Sequence, residues 1–185
     1  MTQTSARHSS GFRQVLFVTA MGVWSGLAAP PLRAATHSAP CSTNTESRQL
    51  DYWIGEWVVT APGGTGSSTS TVSLSLDQCL VVEHWDDGKG HKGENVFGYS
   101  EDEQSWRGLF ADNRGRVHVF VDGRVVANAA EFHGSSGGPH GTTVLNRVRL
   151  VRTTPNTIEQ TWEKSTDNGA TWTTVFRGEY TRRNS

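Results

Sequence analysis

Residues 142–165 read TTVLNRVRLVRTTPNTIEQTWEKS, two runs of alternating character separated by a proline. In both runs apolar side chains recur at every second position, which is typical of strands that bury one face. The Pro155-Asn156 pair between the runs favours a tight turn. We therefore predict an antiparallel hairpin of two strands, at residues 142–152 and 157–165.

The same pattern extends through the chain after residue 55, where no long run has the period of a helix. Short runs rich in β-branched and aromatic residues recur roughly every 10 to 14 positions. Further turn sequences stand between them: Asp87-Gly88, Asn113-Arg114-Gly115, Asp122-Gly123 and Asp167-Asn168-Gly169. We predict ten strands in all, at residues 55–61, 68–77, 79–86, 92–100, 104–112, 116–122, 124–133, 142–152, 157–165 and 170–182.

Ten strands joined by short hairpins form an up-and-down meander, and closure into a barrel removes its exposed edges. The predicted fold class is therefore all-β, a single antiparallel up-and-down β-barrel of about ten strands. A short helical turn at residues 47–54 precedes it, with Ser47 as the candidate N-cap. A two-sheet sandwich is the alternative, although the long crossovers that it needs are not evident. We predict one loose loop, at residues 135–141 (SSGGPHG).

The N-terminus has the features of a secretion signal. Arg7 and Arg13 precede an apolar run at residues 15–29 that is too short to span a bilayer as a helix. Small residues around Ala34 and Ala35 suit cleavage by a signal peptidase. The mature protein would be periplasmic or secreted, and an uncleaved membrane anchor is the alternative. The predicted organisation is a signal peptide at 1–35, an N-terminal arm at 36–46 and the barrel domain at 47–185.

The mature chain would be mildly acidic. Cleavage removes three arginines and no acidic residue, so the formal net charge changes from -1 to about -4. A surface without a basic stripe argues against a nucleic-acid partner, and against a membrane partner after signal cleavage. The remaining length of about 150 residues is enough for one domain with its own core.

Both cysteines, Cys41 and Cys79, lie in the mature chain. An even number of cysteines in an oxidising compartment favours a disulfide bond. Closing a loop of this length would stabilise the fold by about 4 kcal/mol if the effect is one of chain entropy. We predict a Cys41–Cys79 disulfide; two buried free thiols are the alternative.

The start of the first predicted strand, Gly55-Glu56-Trp57, resembles the Gly-x-Trp signature of lipocalins and other calycins. In that superfamily the Trp closes the floor of the barrel, and a basic residue from the last strand lies across its ring. The resemblance implies that Arg177, Arg182 or Arg183 makes this cation–π contact with Trp57.

A wider pattern covers four segments: RQLDYWIGEW (48–57), DQCLVVEHW (77–85), EQTWEKS (159–165) and FRGEY (176–180). Together they resemble an exported bacterial family known as domain-of-unknown-function family 1579. Residues 105–121 lack the Gln and the second Trp expected there. The resemblance implies a calycin-like barrel and a Cys41–Cys79 pair, and it implies no activity.

Polar residues that share a strand face with apolar ones are candidates to point into the barrel. Asn95, Asn146 and Gln160 have this placement. A few polar groups among apolar walls orient small molecules in binding pockets, although such groups can instead bond one another or trapped water. The candidate ligand-binding residues are Trp57, Asn95, Trp106, His118, Asn146, Gln160 and Trp162, with Phe176 as a further wall residue.

The strand at residues 79–86 is apolar on both faces, so periodicity does not decide whether Glu83 or His84 points inward. Burial would raise the pKa of a Glu and lower that of a His, which suits either one for acid–base catalysis. Glu83 and His84 are therefore the candidate catalytic residues. His118 shares a face with Phe120, but the valines at 117, 119 and 121 compete for the interior.

No cofactor and no metal site is predicted, because the histidines of the mature chain do not form the close pairs of a metal site. A haem site of the nitrobindin type would need a His near the last strands, and none follows His140. Residues 165–172 match a single Asp box, which we interpret as a hairpin device: Asp167 would bond turn amides above Trp172. The Gly-rich residues 62–66 lack the features of a phosphate loop.

Three functions fit these observations. The first is an exported barrel that binds a small apolar or amphipathic molecule. The second is a cofactor-independent enzyme of the isomerase, cyclase or hydratase type, with Glu83 or His84 as the proton carrier. The third is a structural or interaction protein whose interior is simply packed. Neither the identity of a ligand nor the oligomeric state follows from the sequence.

Overall fold

The computed structural model describes residues 40–64 and 66–183. Ten antiparallel strands form a closed barrel in which each strand pairs with its neighbours in sequence and β1 pairs with β10. This confirms the predicted all-β barrel. The predicted signal peptide and residues 36–39 of the arm lie outside the described residues. The strands are β1 (Gly55–Thr60), β2 (Ser67–Ser75), β3 (Leu80–Asp86), β4 (Lys92–Ser100), β5 (Ser105–Asp112), β6 (Val117–Val126), β7 (Ala129–Gly137), β8 (Thr143–Thr154), β9 (Thr157–Ser165) and β10 (Thr173–Arg182).

The hairpin predicted at residues 142–165 is present as β8 and β9, with Val148 opposite Trp162. The turn at Asp167 joins β9 to β10 as the hairpin device expected from the sequence. Asp167 accepts hydrogen bonds from the Thr171 amide (2.9 Å) and the Thr171 hydroxyl (2.6 Å). These bonds lower the pKa of Asp167 to about 2.

The predicted turn at Asp122-Gly123 is wrong. Strand β6 continues through these residues, and the chain turns at Ala127, which has a φ of 52°. A register shift between Phe120 and Asp122 marks a bulge in β6. Gly123 serves close packing there, because a Cβ at this position would lie 2.5 Å from the ring of Phe132.

The predicted loose loop at residues 135–141 is also wrong. Strand β7 extends to Gly137, and the connection to β8 is a tight 3₁₀ turn at Pro139–Gly141. The small residues of β7 hydrogen-bond in register with β8 as far as Thr143. Glycine and serine therefore weaken the strand signal in the sequence without preventing strand pairing.

One end of the barrel is closed by the segment before β1, which forms two 3₁₀ turns at Glu46–Arg48 and Asp51–Trp53. Leu50 and Trp53 from this segment are completely buried. Ser47 is not the N-cap, because its backbone N–H donates to Asn44 Oδ1 at 2.8 Å. No helix in the described part of the chain is long and apolar enough to cross a membrane.

A disulfide bond, hydrogen bonds and a cation–π contact stabilise the closed end. The Cys41–Cys79 disulfide predicted from the sequence is present and ties the arm to the start of β3. Trp57 Nε1 donates to the Trp53 carbonyl at 2.8 Å. The Arg182 guanidinium lies 4.3 Å from the centre of the Trp57 ring and donates to the carbonyl of Ile54 at 2.9 Å. Of the three arginines that the calycin resemblance offered for this contact, Arg182 makes it.

Candidate functional site

The direction of the β3 side chains selects one of the two acid–base candidates. Glu83 points into the barrel and is 1% exposed. His84 points outward and lies 3.1 Å from Glu94 on the exposed surface. The expectation that His84 could serve as an interior catalytic group is therefore corrected, and Glu83 is the remaining candidate.

The Glu83 carboxyl lies within hydrogen-bonding distance of three side chains from three other strands. Ser70 Oγ of β2 lies 2.6 Å from Glu83 Oε1. Asn95 Nδ2 of β4 lies 2.6 Å from Glu83 Oε2, and the Tyr180 hydroxyl of β10 lies 2.9 Å from Oε1. Because Ser70, Asn95 and Tyr180 are themselves buried, the carboxyl has a fixed geometry and no contact with bulk solvent.

The Tyr180 hydroxyl also connects Glu83 to Gln160 on β9. It donates to Gln160 Oε1 at 2.5 Å. Burial raises the pKa of Glu83, and this effect outweighs the hydrogen bonds from Ser70, Asn95 and Tyr180 that lower it. Burial and the adjacent Glu83 carboxyl raise the pKa of Tyr180 as well. The cluster of Ser70, Glu83, Asn95, Gln160 and Tyr180 therefore favours a carboxylic acid that keeps its proton.

A second group of inward-facing side chains lies toward the end opposite the closed one. Trp162 Nε1 donates to Asn146 Oδ1 at 3.1 Å, and Asn146 Nδ2 donates to Ser136 Oγ at 3.1 Å. The His118 ring stands perpendicular to the Trp162 ring at a centroid distance of 4.7 Å, and the Phe110 ring packs against Trp162 at 5.2 Å. These residues form an aromatic layer with a few polar edges, as ligand pockets do.

His118 belongs to this layer because β6 directs it inward. The competing valines Val117, Val119 and Val121 lie outside and are about half exposed. Burial and the nearby Arg116 lower the pKa of His118, so the imidazole is neutral near pH 7. Its Nδ1 atom is buried and has no hydrogen-bond partner among the described residues.

We call the end of the barrel opposite the closed one the open end, because inward-pointing side chains stay partly exposed there. Phe110, Trp162 and Phe176 point inward there and remain partly exposed. Two inward-facing glycines allow phenylalanine rings to lie against the barrel wall. A Cβ at Gly93 would lie 2.8 Å from the Phe110 ring, and one at Gly178 would lie 2.8 Å from the Phe176 ring. These rings form an aromatic rim, and we call the part of the interior between the rim and the Glu83 cluster the cup.

Two of the candidate ligand-binding residues lie at the closed end instead. Trp57 and Trp106 are each 1% exposed. Trp106 Nε1 donates to Gln49 Oε1 at 3.0 Å, between the two 3₁₀ turns. Their position makes them part of the floor, whereas Asn95, Gln160 and Trp162 face the open side of the interior.

Ser70 and Tyr180 were not among the residues predicted for the site. The alternation of Phe176, Tyr180 and Arg182 along β10 places all three on one face, so periodicity contained the signal for Tyr180. Ser70 alternates in the same way with Val72 on β2. Periodicity does not indicate that Ser70 on β2 and Tyr180 on β10 contact Glu83.

A separate groove lies on the outer face of β3 to β6, with a volume of about 460 Å³. Its lining includes Leu80, Val96, Leu109 and Val119. None of its lining residues is a buried polar residue that could orient a ligand. The groove therefore differs in chemistry from the interior site.

Comparison with protein-family models found no match for this chain, and comparison with curated proteins found none. The resemblance to domain-of-unknown-function family 1579 stays a prediction.

Proposed function

We propose that this protein binds a small apolar or amphipathic molecule in the open end of its barrel. The observation that carries the proposal is the asymmetry of the barrel. Trp53, Trp57 and Arg182 close one end, while inward-facing aromatic side chains remain partly exposed at the other. An apolar body would enter between Phe110 and Trp162 and bury surface there, which is the main driving force for binding such molecules.

The polar side chains below the rim support the same proposal. Asn95 and Gln160 retain 8% and 7% exposure, although their neighbours Glu83 and Tyr180 retain only 1%. The two amides are therefore the members of the Glu83 cluster nearest to accessible space. They would hydrogen-bond the polar end of a ligand, as the few polar groups of a binding pocket generally do.

Native mass spectrometry of the protein purified from its own periplasm tests this proposal. A co-purifying small molecule is expected with the wild type and should be lost in Trp162→Ala. Val126→Ala serves as the control, because Val126 is 72% exposed on the outside. An empty wild-type protein whose tryptophan fluorescence also fails to respond to small apolar probes would contradict the proposal.

A second candidate function is acid–base catalysis in the same interior. It is favoured by one observation, a buried carboxyl with a raised pKa beside the hydroxyl of Tyr180. The Glu83 acid would donate its proton to one atom of a substrate, and the resulting carboxylate would take a proton from another atom. Such a step isomerises the substrate and restores the enzyme without a cofactor. Cyclisation and hydration can use the same proton transfers.

Deuterium exchange distinguishes the enzyme from the carrier. The ligand identified by mass spectrometry is incubated with the protein in D₂O, and deuterium in its carbon-bound positions is measured. The enzyme should incorporate deuterium or convert the ligand, whereas Glu83→Gln should bind it without exchange. If the wild type binds the ligand without exchange, the enzyme function is excluded and the carrier function remains.

We also propose that the protein is exported to the periplasm or secreted. The Cys41–Cys79 disulfide supports this location, because disulfides persist in oxidising compartments. Expression of the full chain followed by fractionation and N-terminal sequencing tests it. A mature N-terminus near residue 35 in the periplasmic fraction is expected, and an intact N-terminus in the cytoplasm would contradict export.

A further inference from the structure

We infer that the interior selects a ligand whose polar end is uncharged and both donates and accepts hydrogen bonds, as a carboxamide does, and that it rejects carboxylates. The inference rests on the proposed binding function and names the chemical class of its ligand. It follows from two observations. The side-chain amides of Asn95 and Gln160 each have one end without a hydrogen bond to the protein, and the basic side chains lie elsewhere.

The first observation concerns Asn95 and Gln160. Each amide uses one end to bond the Glu83–Tyr180 pair: Asn95 donates through Nδ2, and Gln160 accepts through Oε1. No side-chain hydrogen bond in the described part of the chain involves Asn95 Oδ1 or Gln160 Nε2. Neither is among the fully buried atoms that lack a partner, so both border accessible space. One is an acceptor and the other a donor. A carboxamide, with an N–H₂ and a carbonyl oxygen, complements this pair.

Asn146 shows the contrast. Both ends of its amide are used within the protein, since Oδ1 accepts from Trp162 and Nδ2 donates to Ser136. Asn146 therefore positions the Trp162 ring, whereas Asn95 and Gln160 next to Glu83 each keep one end of the amide free. A ligand that extends past the aromatic rim would place its polar end there.

The second observation concerns charge. Among residues 40–64 and 66–183, the basic side chains that share the parity of inward-facing strand residues are Arg116, Lys164, Arg152 and Arg182. Arg116 lies at the open end, where its guanidinium pairs with the Asp112 carboxylate at 2.6 Å. Arg152 interacts with Tyr52 and Arg182 with Trp57, both at the closed end. Lys164 is exposed at the rim. No cation therefore faces the space beside Asn95 and Gln160.

A carboxylate placed in that space would lose its hydration and gain no opposite charge. The neighbouring Glu83 keeps its proton and also supplies no charge to compensate it. An amide of the same shape carries no charge, so it escapes this cost. The two amides of the protein, Asn95 and Gln160, therefore favour the carboxamide over the carboxylate.

Octanamide and octanoate test this inference, because they have the same chain and nearly the same shape and differ in charge. Their dissociation constants are measured by tryptophan fluorescence at neutral pH. Octanamide is expected to bind at least about tenfold more tightly. Lowering the pH until octanoate is protonated should bring its affinity toward that of octanamide. Equal or tighter binding of octanoate at neutral pH would overturn the inference while leaving the binding function intact.

Two variants locate the interaction. Gln160→Met keeps the shape of the side chain and removes the donor, so octanamide should bind about fivefold more weakly. Lys164→Gln should change neither affinity. A loss of octanoate binding in Lys164→Gln would mean that the rim captures carboxylates, and unchanged octanamide binding in Gln160→Met would mean that Gln160 is not the donor. Either result overturns the inference, provided that near-UV circular dichroism shows the variants to be folded. If neither probe binds the wild type, the proposed binding function fails together with it.

Discussion

The Tyr180 hydroxyl oxygen lies 2.9 Å from Glu83 Oε1, although 97 residues separate the two in sequence. The same hydroxyl is 2.5 Å from Gln160 Oε1. A tyrosine carries one hydroxyl proton, so it cannot donate to both oxygens at once. A protonated Glu83 resolves this, because the acid can donate to Tyr180 while Tyr180 donates to Gln160. The hydrogen-bond geometry and the effect of burial therefore agree on a neutral Glu83.

A neutral Glu83 makes stability depend on pH in a definite direction. Its pKa in the folded protein is raised above the ordinary value of 4.5, so the folded state binds more protons than the unfolded state above that pH. The contribution of Glu83 to stability is thus complete below about pH 4.5 and is lost as the pH rises through the folded-state pKa. Urea unfolding of the wild type and of Glu83→Gln over a pH series measures it.

The variant Glu83→Gln should lack this pH dependence, because Gln is a neutral side chain of nearly the same shape. The wild type should therefore lose stability relative to Glu83→Gln as the pH rises. Taking the difference between the two proteins cancels the titration of groups such as Asp167, whose pKa is lowered. A difference that is constant with pH would show that Glu83 is not held as the neutral acid.

The floor of the barrel should depend on Arg182. Arg182→Ala removes the cation–π contact with Trp57 and leaves the carbonyls of Tyr52 and Ile54 without their donor. We expect the free energy of unfolding to fall by about 2–4 kcal/mol. Arg183→Ala is the matched control, since its side chain makes only an exposed 3.8 Å ion pair and should change stability by less than about 0.5 kcal/mol. Equal effects of the two changes would contradict this role of Arg182.

The parts of the fold that the sequence predicted correctly are those set by local signals. The Pro155-Asn156 turn and the alternation on either side of it are enough to define β8 and β9. The prediction of a turn at Asp122-Gly123 was wrong because the glycine is needed for a contact with a residue distant in sequence. Gly123 makes room for Phe132 from the next strand, and an Asp-Gly pair in the sequence does not reveal that contact.

The candidate site was also predicted only in part from the sequence. Glu83, Asn95 and Gln160 could be selected from their residue type and strand position. The choice between Glu83 and His84 could not be made, because apolar residues occupy both faces of β3. Tyr180 was not selected because its meeting with Glu83 depends on closure of the barrel between β1 and β10. Strand periodicity predicts on which face of the sheet a side chain lies, whereas its contacts across the barrel depend on strand order and register.

The disulfide should contribute substantially to stability. Cys41 and Cys79 are 38 residues apart, and a loop of this length corresponds to about 4 kcal/mol if the effect is restriction of the unfolded chain. The double variant Cys41→Ser with Cys79→Ser should lose about this much in urea unfolding at neutral pH. Reduced wild type should behave like the double variant. A loss below about 1 kcal/mol would mean that the packing of Leu50 and Trp53 holds the floor without the bond.

Access to the cup should depend on Gly93. A Cβ at this position would lie 2.8 Å from Phe110 Cε2 and 3.2 Å from its Cζ, so Gly93→Ala must displace the ring from the barrel wall. The displaced ring would narrow the opening beside Trp162, which it already contacts at 5.2 Å. We expect a stability loss of about 1–3 kcal/mol from overpacking, together with weaker binding of octanamide.

Gly137→Ala is the control for this change. Gly137 also lies on a strand at the open end, but a Cβ there would have no atom within 4 Å, so neither stability nor binding should fall. Urea unfolding and fluorescence titration of both variants separate the two effects. If Gly93→Ala loses stability but binds octanamide as the wild type does, the ligand does not pass between Phe110 and Trp162. Binding that weakens in both variants would instead show that the open end responds to any added side chain, and would remove the specific role assigned to the Phe110 ring.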